Sequence, residues 1–251
     1  MSAITYALAM SGIIAACFPI GALLALYARL SHRVISAVMA FGAGLLIAAL
    51  SIDLVSEALE SLTTVHTVLT VGIAAGLFSG VNYLLSKRGA RHRKRCGDCV
   101  KQPTEAEKPE SGQAIAIGTV MDAMPEALVL GVVLSEGHNA LALVAVLALG
   151  NIAQSLSSTA GLADAGRSYR FIALLWGAVA IAVVTTTLLS FHLLGMVDIE
   201  IKPWVEAFAA GILLAMVAET MLPEASHKSP SLSGLQTAVG FCVFVGLMAT
   251  L

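Results

Sequence analysis

Charge is scarce in this sequence. Of its 251 residues only 12% are Asp, Glu, Lys or Arg, roughly half the usual share for a soluble globular protein, which excludes water as the main solvent of its surface. Aromatic residues are few at 6%, too few to line the larger pocket that an organic solute normally requires. Four cysteines are present, and Cys17 and Cys242 fall inside apolar runs where a thiol behaves as a small hydrophobe, so no disulfide framework is implied. The chain has no Gly-x-x-x-x-Gly-Lys loop, which argues against chemistry driven by nucleotide hydrolysis. It also has no His-Glu-x-x-His motif and no paired membrane aspartates in a Gly-flanked setting, so an intramembrane enzyme is not expected. Positive charge is missing from Met1 to Thr5, and the first apolar run therefore reads as a retained helix rather than a secretory signal.

Long apolar runs are what the sequence has instead. They cover 4–28, 34–59, 64–86, 113–135, 139–163, 171–195, 203–225 and 231–251, each near the ~20 residues a helix needs to cross the hydrocarbon. None alternates with a period of two, so the fold class expected is all-α, a single polytopic membrane domain of eight spans, and not a barrel. Placing the N-terminus outside puts all but one of the 14 Lys and Arg residues in inner segments and leaves only Lys202 outside. That alternation follows positive-inside sorting and sets both termini on the extracytoplasmic side.

The one long polar stretch, 87–112, lies between spans three and four and reads as a flexible inner loop. It contains His92, Cys96 and Cys99, two thiols and an imidazole where a closed zinc site wants four ligands, beside the plainer reading of a lipid-facing basic loop. Laying span two on span seven at a constant offset of 167 pairs Phe41 with Phe208, Gly44 with Gly211, Leu46 with Leu213 and Glu57 with Glu224. The two spans run in opposite directions, so the match predicts an inverted repeat, an architecture that places a site near the midplane. Gly42, Gly44, Gly118 and Gly131 are expected to allow close helix packing.

An ionised side chain at mid-bilayer costs at least ~2.5–3.5 kcal/mol on insertion scales, so each one asks for a partner, a wet cavity or a function. Span four carries Asp122 and Glu126, four apart and hence on one face. Pro125 between them lacks an amide hydrogen and frees the carbonyl of Met121. Span five places Asn151 and Gln154 three apart, as neutral oxygen ligands or as interhelical hydrogen-bond glue. Span seven carries Glu219 and Glu224 around Pro223, and span two carries Asp53 and Glu57. These four lie towards helix ends, where they serve either as interfacial acids or as stations on a path, Asp53 and Glu57 at the outer mouth and Glu219 and Glu224 at the inner exit. His66 and His138 fall in outer loops, where they gather ions or are ordinary polar surface.

With these residues in view the chain resembles, over its whole length, the ZIP family of zinc and iron permeases. Members usually carry His-Asn-x-Pro-Glu-Gly in span four, where this chain has Asp122-Ala123-Met124-Pro125-Glu126-Ala127. In span five they usually carry Gln-Asn-x-Pro-Glu-Gly, against Gly150-Asn151-Ile152-Ala153-Gln154-Ser155 here. Span six in many relatives supplies a further glutamate, but the stretch from Phe171 to Gly195 has no acid, which leaves a second bridging metal position without its ligand. The resemblance implies eight spans grouped three, two and three, extracytoplasmic termini, a variable loop after span three and a homodimer as an unsurprising assembly.

It further implies a secondary transporter that moves a divalent metal cation, Zn²⁺ or a related ion such as Mn²⁺ or Fe²⁺, across the plasma (inner) membrane and into the cytoplasm. The expected metal-ligating set is Asp122, Glu126, Asn151, Gln154, Glu219, Glu224, Asp53 and Glu57. No prosthetic group is expected, the metal being cargo. The expected partners are that ion and the lipid bilayer, not nucleic acid. A rival expectation is a non-transporting relative that keeps the fold as a metal sensor or scaffold. The central cluster Asp122, Glu126, Asn151, Gln154 has no nitrogen or sulfur ligand, so it should favour harder cations than an imidazole site does.

Overall fold

A computed structural model describes residues 2–28, 30–90, 111–137, 140–196, 201–227 and 232–250. Regular structure among these residues is entirely helical. Eight helices follow the eight apolar runs: α1 Ala3–Tyr27, α2 His32–Ser61, α3 Thr64–Arg88, α4 Ser111–Ser135, α5 Leu141–Asp164, α6 Tyr169–Met196, α7 Lys202–Ser226 and α8 Ser233–Thr250. Seven are long and apolar enough to cross a membrane, and α8, at 18 residues, is a shorter apolar helix. The chain is thus built as an integral membrane protein. His92, Cys96, Cys99 and His138 lie outside the described residues.

Local chemistry fixes the helix starts. Ser2, Ser31 and Thr63 sit in extended conformation just before α1, α2 and α3, and each side chain accepts a hydrogen bond from the backbone N–H three residues on, satisfying a donor that the first turn leaves unpaired. Besides the π stretch Ser86–Ala90 at the end of α3, two helices carry one in their interior. In α2 the residues Ala49–Leu54 form π turns, closed by the Val55 N–H on the Leu50 carbonyl. In α7 the residues Val217–Met221 do the same, closed by the Leu222 N–H on the Val217 carbonyl. Such wide turns inside α-helices occur often at functional sites.

The packing is inside out relative to a soluble protein. Polar residues of α5, namely Asn151, Gln154, Ser155, Ser157, Ser158 and Thr159, are all buried, as are Asp122 and Glu126 of α4. Apolar side chains face outward on α3 (Val68, Leu69, Ile73) and on α6 (Leu174, Ile181, Leu189). Hydrocarbon solvates such a surface well and solvates buried carboxylates badly, so the arrangement suits lipid.

Five helix pairs carry most of the packing: α1 with α5, α4 with α6, α2 with α7, α2 with α8, and α3 with α7. Glycine lets two of these pairs close. A Cβ on Gly44 of α2 would collide with the Thr237 carbonyl of α8, and one on Gly211 of α7 with the Val71 carbonyl of α3, the small-residue contact on which membrane helices rely. Gly42 and Gly131 also sit against neighbours, Ala153 and Ser190 respectively. Polar ties lock α6 in place: Thr187 and Ser190 donate to the carbonyls of Ala127 and Leu128 at 3.1 and 2.9 Å, and the Trp176 indole donates to Thr159 at 2.7 Å while stacking on Phe18.

Candidate functional site

α4 and α5 meet through their polar faces. The Gln154 amide donates to Glu126 Oε1 at 3.0 Å, with both residues buried. Asp122 lies one turn before Glu126 on the same face of α4 and is equally enclosed. Asn151 lies one turn before Gln154 on α5, is 0% exposed, and has no hydrogen-bond partner for either its side-chain oxygen or its nitrogen. Leaving such groups dry costs about 1–3 kcal/mol each. The Asn151 amide therefore has unused capacity, and a bound cation with its water would use it. The donor set of two carboxylates and two amides fits a hard divalent cation.

A cavity of about 210 Å³ has Glu126 among its walls together with Asp53 and Glu57 of α2. Leu46, Val129, Leu147 and Leu213 make the rest largely apolar. Asp53 and Glu57 thus share one space with Glu126, although they stand more than 60 positions away along the chain. Farther along, Glu224 of α7 is buried and accepts a hydrogen bond from Ser157 of α5 at 3.3 Å, while its backbone carbonyl accepts one from Ser36 of α2 at 3.5 Å. Carboxylates therefore stand on both sides of the Glu126–Gln154 contact.

Glu219 stands apart from this line. It is exposed, and it accepts hydrogen bonds from Ser79 and Asn82 of α3, so it faces the α3–α7 seam instead of the α4–α5 seam. Pro125 and Met121 also turn elsewhere, lining an apolar groove with Leu77, Phe78, Val81 and Ile212. The ring of His66 rests against Trp204, with centroids 5.2 Å apart.

Two acids that sequence reasoning passed over lie beside the mouth of the cavity. Glu206, in the first turns of α7, and Glu136, just after α4, each bring a carboxylate oxygen within 4.8 Å of one another and of Glu57. Lys202 pairs with Glu136 at 3.7 Å. The signal was present in the sequence, since Glu206 is an acid inside an apolar run and Lys202 is the single basic residue assigned to the outer side. Comparison with family models and with curated proteins finds no match to this chain.

Proposed function

We propose that this protein is a secondary transporter of a divalent metal cation, of the ZIP type that its motifs resemble, and not an enzyme. The observation that carries the reading is the buried Glu126–Gln154 contact beside a cavity that Glu126 lines with Asp53 and Glu57, with the unsatisfied Asn151 amide one turn away. Two carboxylates balance one divalent ion, so the loaded site is neutral in a low-dielectric setting. Glu126 and Asp122 supply the charge, and Asn151 and Gln154 replace part of the hydration shell. Release proceeds past Ser157 and Glu224 to the inner side, into the cytoplasm, with the plasma (inner) membrane as the setting and both termini outside. The ion gradient, the membrane potential or coupled protons drive the movement.

An inverted repeat, with three helices on either side of the α4–α5 pair, supplies the motion by rocking against the site. Three observations support it. The π turn closed by Val55 on Leu50 and the one closed by Leu222 on Val217 stand at the same offset of 167 that relates span two to span seven. Gly44 and Gly211, at that offset too, each admit a neighbouring backbone. The packing partners also exchange in pairs: if α1, α2, α3 and α4 correspond to α6, α7, α8 and α5, then α1 with α5 maps onto α6 with α4, and α2 with α8 onto α7 with α3. A homodimer fits the same reading.

Initial rates of Mn²⁺ or Zn²⁺ uptake into proteoliposomes test it. Glu126→Ala is expected to lower them at least ~100-fold, the scale on which buried charge interactions are lost. Uptake that survives this change at full rate refutes the assignment. Metal binding without uptake by the unaltered protein favours the sensor or scaffold reading, which the departures at Asp122, Ala123 and Gln154 from the usual family motifs keep in view.

A further inference from the structure

The cluster at the mouth of the cavity is formed where α2 and α4 finish and α7 begins. Three carboxylates, from Glu57, Glu136 and Glu206, lie with oxygens within 4.8 Å of one another, and Lys202 pairs with Glu136 at 3.7 Å. Like charges so close repel strongly wherever solvent is limited. Glu206 makes the need for a cation specific. It is 2% exposed, its carboxylate is aimed at the other two, and among the described residues no donor or cation lies within hydrogen-bonding or ion-pairing distance of it. Buried carboxylates are ordinarily paired, protonated or bound to a metal, and Glu206 is available for the last of these.

We infer that Glu57, Glu136 and Glu206 form a second, separate binding site for a hard divalent cation such as Mn²⁺ or Ca²⁺, and that Lys202 is the counter-charge the ion displaces. All-carboxylate oxygen ligands suit such ions, and three carboxylates remain attractive to a doubly charged ion even with the lysine nearby. Glu57 belongs both to this cluster and to the wall of the cavity that Glu126 lines. The site therefore holds the ion one step before the central pair, a role that rests on the transport reading, whereas the binding itself does not.

The full-length chain in lipid nanodiscs, titrated with Mn²⁺ while electron paramagnetic resonance follows the free ion, separates the two. The Glu126→Gln variant is expected to keep one saturable Mn²⁺ site. Adding Glu206→Gln, or independently Glu57→Gln, should weaken that site by about tenfold or more, and adding Lys202→Met should tighten it several-fold by removing the competing charge. Glu57 is only half-buried, so its variant reports even if the Glu206 change impairs folding. No saturable site in Glu126→Gln, or one indifferent to both carboxylate changes, overturns the inference. Mn²⁺ binding at the mouth in a protein that shows no uptake supports the inference and removes the transport reading.

Discussion

The middle of the bundle and its carboxylate-rich mouth solve the same electrostatic problem in different ways. In the middle, carboxylates are matched with amides: Gln154 donates to Glu126, and Asn151 waits beside them. At the mouth, three carboxylates lie together and one of them, Glu136, pairs with Lys202. Amides are neutral and hold their geometry whether or not an ion is present, which suits a site that must both take and release its cargo. A surplus of like charge gathers ions from a distance and discriminates among them poorly. On the transport proposal, the contrast gives selectivity and rate to the middle and capture to the mouth.

Asn151→Leu probes the middle most sharply. An amide with no partner in the empty protein costs stability, so the leucine variant is expected to be as stable or more stable, by up to ~1–2 kcal/mol, while uptake falls more than about tenfold. A drop in melting temperature together with unchanged uptake would make Asn151 a structural residue instead. Selectivity comes next in size. With no imidazole among the central ligands, excess Mn²⁺ should suppress radiolabelled zinc uptake severalfold, and undiminished zinc uptake would count against an all-oxygen site.

The mouth should give smaller, concentration-dependent effects. Glu206→Gln is expected to raise the KM for Mn²⁺ by roughly three- to tenfold with Vmax retained, since it removes binding before the central step and not the step itself. A fall in Vmax at unchanged KM would move Glu206 into the central machinery. Glu219→Gln closes the series. Because Glu219 is exposed and tied to Ser79 and Asn82, uptake should stay within about twofold of the unaltered protein, and a larger loss would restore it to the inner exit.

Much of this was legible in the sequence because lipid allows few solutions. A chain with eight apolar runs and almost no charge between their ends can satisfy its backbone only as helices, and acids inside such runs announce themselves. Asp122, Glu126, Asn151 and Gln154 stand out in this way, and Gln154 does meet Glu126. Acids near helix ends carry a weaker signal because water reaches them cheaply. Glu136 and Glu206 were missed for that reason, and their significance appears only when three separate helices bring them to Glu57. Proximity to Glu224 in the chain likewise says nothing of which seam the Glu219 side chain faces.

The π turns of α2 and α7 have a geometric consequence for any reading based on a helical wheel. Each such turn accommodates roughly one residue more than an α-turn, which at ~100° per residue shifts the angular phase of everything beyond it. A wheel drawn at constant pitch through His32–Ser61 therefore misplaces Asp53 and Glu57 relative to Gly44 and Leu46, and one through Lys202–Ser226 misplaces Glu224 relative to Glu206. In each helix the stretches before and after the widened turn are two phases of one rod, clocked apart by that turn.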